Sequence, residues 1–196
     1  MGDKDIEKEI ERETSIHKKL LEIARSSIEA ALKGGFIPDF RVTDPELYHH
    51  HGVFVTLKKH GQLRGCIGRF MSDIPLYQLV SEMAISAALE DPRFQFERLN
   101  PRELREIDIE ISVLSPLRKI SNPLDFELGK HGIYIRRGTL AGCFLPQVAS
   151  ESGWSKEEFL SYCCLGKAGL HPEAWREPST EVYVFTTGVI EEHHHG

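Results

Sequence analysis

The segment IDIEISVL at 107–114 constrains the fold of this chain more than any other stretch. Apolar and polar residues alternate along it without interruption, which is typical of a β-strand with one buried face. The pattern predicts that one face carries Ile107, Ile109, Ile111 and Val113. The opposite, solvent-facing side is predicted to carry Asp108, Glu110 and Ser112. A strand of this kind belongs to an antiparallel sheet covered on one side.

Further predicted strands occur in pairs around short glycine-containing turns, and this arrangement favours β-hairpins. The predicted helices are recognised by apolar residues at helical spacing. The segment before Gly34-Gly35 predicts a long helix. Ser155 and Glu158 form a capping-box pattern that predicts the start of another. The predicted helices are 5–33, 75–90 and 156–165, and the predicted strands are 53–59, 62–70, 107–114, 132–137, 140–146 and 181–187. This order lacks a regular βαβ rhythm and predicts an α+β fold with largely antiparallel sheets and packed helices.

Composition excludes several classes of protein. The 196 residues are 40% hydrophobic and 28% charged, with a net charge of −6, which argues against disorder and against wrapping of duplex DNA. No apolar run is long enough for a membrane span, and the N-terminus MGDKDIEKEIERE does not resemble a secretory signal. We therefore expect a cytoplasmic protein without a membrane partner. Its four cysteines contain no C-x-x-C spacing and are expected to be reduced.

The segment LRGCIG at 63–68 is the strongest candidate for chemistry. In a regular strand Arg64, Cys66 and Gly68 share one face and Leu63 and Ile67 the other. A guanidinium near a thiol favours the thiolate, so Cys66 is a candidate nucleophile beside an anion-binding Arg64. Two glycines weaken a strand unless a bulge, a ligand or another backbone comes close. The alternative is that Cys66 is a small buried residue and the glycines serve packing.

The run His49-His50-His51 suggests a metal site at first sight. Side chains of adjacent residues in an extended loop alternate in direction, so at most two of the three can converge. We found no cysteine or carboxylate at the spacing of zinc ligands. The sequence therefore predicts a solvated loop and no metal site, and it assigns no cofactor.

Several motifs occur in an order that points to one family. They are LRGCIG at 63–68, DPRF at 91–94, EISVLSP at 110–116, GKHGIYI at 129–135, FLPQVA at 144–149, Trp154 and GKAGL at 166–170. The chain resembles the AMMECR-type domain family, also called AmmeMemoRadiSam system protein A. The resemblance covers about residues 15–190 and implies two interlocked lobes. The family's biochemical activity is not established, and its members are linked with a Memo-type protein and a radical S-adenosylmethionine protein.

The resemblance also implies which residues form the site. The matching positions are Arg64, Gly65, Cys66 and Gly68, then Asp91, Pro92, Arg93 and Phe94, then His131 and Gly132, and finally Pro146 and Gln147. His131 is either the base that activates Cys66 or a loop histidine bonded to the backbone. Asp91 either pairs with Arg93 or caps the turn ahead of Pro92. Cys143 departs from the family's commoner pattern and is not predicted to be a site residue.

These observations predict one AMMECR-type domain at 13–190, a charged N-terminal extension at 1–12, and a tail at 191–196 that is native or tag-derived. Two functions stay open. One is an enzyme with Cys66 as nucleophile or redox thiol. The other is a non-catalytic binding or scaffold module for Memo-type and radical S-adenosylmethionine partners, for RNA or for a small anion.

Overall fold

A computed structural model describes residues 3–192 of the chain. The chain forms two compact units: the first takes the chain up to Val113 and resumes at Val189, and the second comprises Leu114–Gly188. Helices and antiparallel sheets occur in both, so the predicted α+β class is confirmed. Residues 1–2 of the predicted extension and 193–196 of the predicted tail lie outside the described residues.

The first unit is a four-stranded sheet with the order β2-β1-β3-β8, packed with two helices. Its elements are α1 (Asp3–Leu32), β1 (Val53–Lys59), β2 (Gln62–Arg69), α2 (Leu76–Leu89), β3 (Ile107–Leu114) and β8 (Thr187–Glu191). Short 3-10 turns occur at Pro45–Tyr48, Pro92–Phe94 and Glu103–Glu106. The first three turns of α1 are exposed, as expected for a charged extension. The side chain of Glu192, by contrast, pairs with Arg25, so the start of the predicted tail joins this unit.

The second unit contains a sheet with the order β4-β7-β5-β6 and two short helices. Its elements are β4 (Arg118–Ile120), β5 (Gly132–Arg137), β6 (Leu140–Phe144), α3 (Pro146–Ser152), α4 (Lys156–Cys163), a π-helical turn (Cys164–Ala168) and β7 (Glu181–Phe185). The capping box at Ser155 and Glu158 is present and begins α4. The sequence interpretation missed β4, α3 and β8, which are short and carry no extended apolar pattern.

Strand β3 departs from the predicted alternation at its end. Ile107, Ile109 and Ile111 are buried in the core of the first unit, but Val113 is only half-buried. Ser112, predicted to face solvent, is buried, and its partner in the register is the aromatic Phe54. Asp108 and Glu110, predicted to be exposed, are half-buried; Glu110 pairs with Lys58 of β1 across the sheet.

In the described part of the chain, no helix is both long enough and apolar enough to cross a membrane.

Candidate functional site

LRGCIG lies on β2, the edge strand of the first sheet, and contains a β-bulge. The register pairs Lys58 of β1 with Leu63 but the preceding Leu57 with Gly65, so Arg64 is an extra residue. A bulge breaks the alternation of a strand. The predicted common face of Leu63 and Ile67 is therefore wrong: Leu63 is 42% exposed, whereas Ile67 packs on the core.

Both glycines of the motif are needed for close packing. A Cβ atom at Gly65 would lie 2.1 Å from the carbonyl oxygen of Ala87 in α2. At Gly68 it would lie 2.4 Å from the ring of Phe54. The bulge and the close approach of another backbone thus account for the two glycines without a ligand.

The side chains of Asp91 and Arg93 form hydrogen bonds with the backbone of Cys66 on the edge strand β2. The amide of Cys66 donates to Asp91 Oδ2 over 2.8 Å, and Arg93 Nη2 donates to the Cys66 carbonyl oxygen over 3.2 Å. The Arg93 guanidinium also donates to both carboxylate oxygens of Asp91, and the Arg93 amide to one of them. Asp91 therefore pairs with Arg93 and caps the 3-10 turn at Pro92–Phe94 as well. Edge backbone groups that would otherwise lack partners are satisfied in this way.

The charge of Asp91 is stabilised inside the protein. Its side chain is 2% exposed. The hydrogen bonds from the Arg93 guanidinium lower its pKa to about 2 against the opposing effect of burial, and the amides of Cys66 and Arg93 add to the shift. Asp91 is thus ionised at neutral pH and is not suited to act as a general acid.

Arg64 is engaged by a carboxylate that the sequence interpretation missed. Arg64 Nη2 lies 3.2 Å from Glu103 Oε2 and donates to the carbonyl oxygen of Glu97 over 2.6 Å. Its guanidinium also lies 5.6 Å from the ring centroid of Phe94. The side chain is only 13% exposed. The positive charge of Arg64 is therefore compensated within the first unit by Glu103, which lies 39 residues further along the chain.

Two polar side chains of the first unit lie beside the thiol of Cys66. Thr56 of β1, directly opposite in the register, donates its hydroxyl to Cys66 Sγ over 3.2 Å. The Arg93 guanidinium interacts with the Cys66 side chain as well. The guanidinium beside this thiol is thus that of Arg93, whose side chain is 54% exposed, and the sequence interpretation had assigned this role to Arg64.

The remaining predicted site residues belong to the second unit. Glu127 donates its amide to His131 Nδ1 over 3.0 Å. This bond assigns the ring hydrogen of neutral His131 to Nε2, and a protonated Nε2 cannot accept a further proton. His131 thus fits the alternative of a loop histidine bonded to the backbone. Pro146 is the buried first residue of α3, and Gln147 is exposed. A dyad of Cys66 and His131 stays a prediction.

All four cysteines are free, as expected. Burial raises the pKa of Cys143 to about 12 and that of Cys164 to about 11. Burial also raises the pKa of Cys163, which is completely inaccessible to solvent. These three thiols therefore behave as small apolar residues, whereas Cys66, which is half-buried like Cys143, accepts a hydrogen bond from Thr56.

The histidine run has a different environment from the one expected. Two of the three imidazoles, those of His49 and His51, each lie 3.1 Å from a carboxylate oxygen of Glu46. A carboxylate therefore lies beside two of these histidines, although the sequence spacing predicts none among zinc ligands; the solvated loop without a metal stays a prediction. The 3-10 turn at Pro45–Tyr48 folds the chain so that Glu46 lies near these histidines. The prediction of an extended loop did not include this turn and therefore did not reveal the contact.

Comparisons with known proteins agree with the sequence motifs. The model of the AMMECR1 family matches residues 21–190. A protein of Methanopyrus kandleri is 46% identical over 181 residues, covering 88% of this chain and 86% of its own length. A protein of Nanoarchaeum equitans is 44% identical and is covered over 98% of its length. The crystal structure of an uncharacterized protein from Pyrococcus horikoshii superimposes with a TM-score of 0.78 at 38% identity, covering 89% of this chain and 90% of that one. The chain is therefore a member of the AMMECR1 family.

Proposed function

We propose that this protein is a non-catalytic module that binds partner proteins, and that LRGCIG holds the exposed segment 92–98 in a fixed conformation. The observation that carries the proposal is the pairing of the motif's polar side chains with groups inside the first unit. Arg64 bonds to Glu103 and to the backbone of Glu97, and Asp91 bonds to Arg93 and Cys66. An anion-binding guanidinium and a proton-transferring carboxyl group would both need to be available to a substrate.

Contacts with LRGCIG and with α2 hold the segment at several points. Asp91 lies directly before it and is bonded to the Cys66 amide. Arg64 bonds to the carbonyl oxygen of Glu97 near its end. Leu99, directly after it, is buried and donates its amide to the Ala88 carbonyl oxygen over 3.2 Å. A segment restrained at both ends loses little conformational entropy on binding, which favours affinity.

The segment presents an aromatic side chain to solvent. Phe96 is 93% exposed, and Arg93 and Arg98 beside it are also exposed. Large aromatic side chains and arginines are enriched in protein interfaces, where they act as anchors in pockets of the partner. The partner surface expected here is an apolar pocket with acidic groups around it. The family resemblance suggests a Memo-type protein and a radical S-adenosylmethionine protein as the partners.

Calorimetric titration of each candidate partner from the same organism tests the proposal. Phe96→Ala is expected to weaken binding at least about 10-fold, equivalent to about 1.4 kcal/mol. Phe36→Ala is the matched control, since Phe36 is 100% exposed in the same unit but lies on the loop after α1. Absence of binding to both partners, or equal losses in the two variants, would overturn the proposal.

A second candidate function is an enzyme with Cys66 as its nucleophile. It is favoured by two groups near the thiol: Thr56 donates its hydroxyl to Cys66 Sγ over 3.2 Å, and the exposed Arg93 guanidinium lies 3.2 Å from the Cys66 carbonyl oxygen. A nearby cation is a common feature of reactive cysteines. The test is alkylation of native protein in which Cys143, Cys163 and Cys164 are replaced by alanine, with and without Arg93→Met. A thiol activated by Arg93 reacts more slowly in the variant. This candidate function is excluded if alkylation of Cys66 requires denaturant, or if its rate is the same with and without Arg93→Met.

A further inference from the structure

A second cluster of chemically active side chains lies in the first unit, on the loop between α1 and β1. We propose that Glu46, His49 and His51 bind one divalent transition-metal ion, for which Zn²⁺ is the best match. One ligand atom of each residue lies within 4.8 Å of the ligand atoms of the other two. The Glu46 carboxylate contacts His49 Nδ1 and His51 Nε2. This site is independent of the binding function proposed above.

Local hydrogen bonds build the loop that carries the three ligands. Asp44 caps the 3-10 turn at Pro45–Tyr48 and accepts the amide of Glu46 over 2.9 Å. The amide of His49 donates to the carbonyl oxygen of Glu46 over 3.1 Å. The carbonyl oxygen of His49 in turn accepts the amide of Leu76 at the start of α2 over 2.9 Å. The backbone of two ligands is thus held before any metal binds, which lowers the entropic cost of binding.

Both ends of this loop are anchored further. The guanidinium of Arg12 makes two hydrogen bonds to the carboxylate of Asp44, at 2.7 and 2.9 Å. Directly after His51, a Cβ atom at Gly52 would lie 2.3 Å from the carbonyl oxygen of Phe70. The chain is therefore closely packed where it enters β1.

The spacing of the histidines explains why two of them converge. His49 has an extended backbone conformation, with φ of −67° and ψ of 155°. Residues two apart in an extended chain point to the same side, so His49 and His51 face Glu46 while His50 is expected to face away. His51 is the most buried ligand, with 17% of its side chain exposed, and Glu46 and His49 are 40% and 62% exposed. The site is therefore reachable from solvent on the side of His49.

Two imidazoles and one carboxylate form a donor set suited to Zn²⁺ and related ions. Mg²⁺ and Ca²⁺ prefer oxygen ligands only, and Cu⁺ prefers sulfur. Zn–ligand bonds of about 2.0–2.1 Å in a tetrahedral site place the donor atoms roughly 3.3 Å apart. Glu46 Oε2 lies 3.1 Å from His49 Nδ1, and Glu46 Oε1 lies 3.1 Å from His51 Nε2, so a small turn of the carboxylate brings one oxygen to both nitrogens. The exposed ring of His49 can turn to shorten the remaining distance, and three protein ligands leave a fourth position for water.

Direct titration of metal-free protein tests the site. The histidines at 193–195 can also bind metal, so the reference protein carries His193→Ala, His194→Ala and His195→Ala in the full chain. After removal of metal with a chelator, Zn²⁺ is titrated by calorimetry, and Co²⁺ by absorption spectroscopy. We expect one equivalent of Zn²⁺ to bind. The Co²⁺ spectrum should lack a thiolate charge-transfer band, because the ligands are nitrogen and oxygen.

Single substitutions assign the ligands. His49→Ala, His51→Ala and Glu46→Gln are each expected to weaken Zn²⁺ binding by at least about 10–100-fold, the loss that even an outer-shell partner of a ligand can cause. His50→Ala, the adjacent and chemically identical change, is expected to leave the affinity unchanged. Circular dichroism in the presence of chelator checks that each variant is folded. Of the three ligand substitutions, His49→Ala is the least expected to affect folding, because His49 is the most exposed ligand.

Three results would overturn the proposal. The first is a reference protein that binds no Zn²⁺. The second is a loss in His50→Ala as large as that in His49→Ala. The third is a thiolate band in the Co²⁺ spectrum, which would place the ion at a cysteine instead.

Discussion

The role of Asp91 can be tested through the pH dependence of stability. Asp91→Asn replaces the carboxylate with a neutral group of the same shape that carries donor hydrogens, as the protonated acid does. The pKa of Asp91 is lowered from 3.8 in the unfolded chain to about 2 by Arg93 and by backbone amides. A carboxyl group with a lowered pKa stabilises the fold above its unfolded pKa and loses this effect as the pH falls through its folded value.

The expected magnitude follows from the two pKa values. Each pKa unit corresponds to about 1.4 kcal/mol, so the charge of Asp91 contributes about 2–3 kcal/mol to the free energy of unfolding at pH 7. The contribution falls to about half at pH 3 and below about 0.5 kcal/mol at pH 2. The near-complete burial of the side chain justifies this conversion without a discount for solvent screening.

Urea denaturation followed by circular dichroism measures the difference between wild type and Asp91→Asn at each pH. Taking the difference cancels the titration of all other groups. Asp73→Asn, at an exposed aspartate of the same unit, serves as the control and should change the free energy of unfolding by less than about 0.5 kcal/mol at both pH values. The reasoning is refuted if Asp91→Asn is as stable as wild type at pH 7, or if its loss is the same at pH 2.

Two further substitutions test the packing around the site. Gly65→Ala should destabilise the protein by at least about 1–3 kcal/mol, because its Cβ atom would lie 2.1 Å from the carbonyl oxygen of Ala87. Gly188→Ala, whose Cβ meets nothing within 4 Å, is its control, and equal thermal unfolding of the two variants would contradict the close approach of α2. Ile109→Ala, at a position 1% exposed, should lower the free energy of unfolding by about 2–4 kcal/mol through a cavity. A loss below about 0.5 kcal/mol in urea denaturation would mean that Ile109 does not face the core.

Local patterns were sufficient to predict most of the regular elements. The alternation of IDIEISVL, the apolar stripe of α2 and the hairpin of β1 and β2 each depend on residues close together in sequence. The capping box at Ser155 and Glu158 is a signal of the same kind. Such patterns determine which side of an element is apolar, and this is enough to place strands and helices. Elements without a pattern of this length, such as β4 and α3, were missed.

The candidate site depended on contacts that no local pattern contains. The sequence placed Arg64 and Cys66 together as chemical partners, because alternation in a regular strand puts them on one face. The bulge at Arg64 removes that relation, and Glu103 then engages its guanidinium. The guanidinium at Cys66 is instead that of Arg93, 27 positions further along the chain. The sequence around a distant carboxylate does not indicate which guanidinium it will pair with in the folded protein.

The sequence by itself determined the family, the α+β class and the segments that form strands and helices, since these follow from ordered motifs and from periodicity. Only the tertiary structure decided which charges are paired, which polar groups lie beside Cys66, and that the Glu46 carboxylate contacts both His49 and His51. The physical reason is that pairing depends on distances of about 3 Å between side-chain atoms. Those distances are set by turns, bulges and packing of the whole unit, and periodicity constrains only the direction in which a side chain leaves its own element.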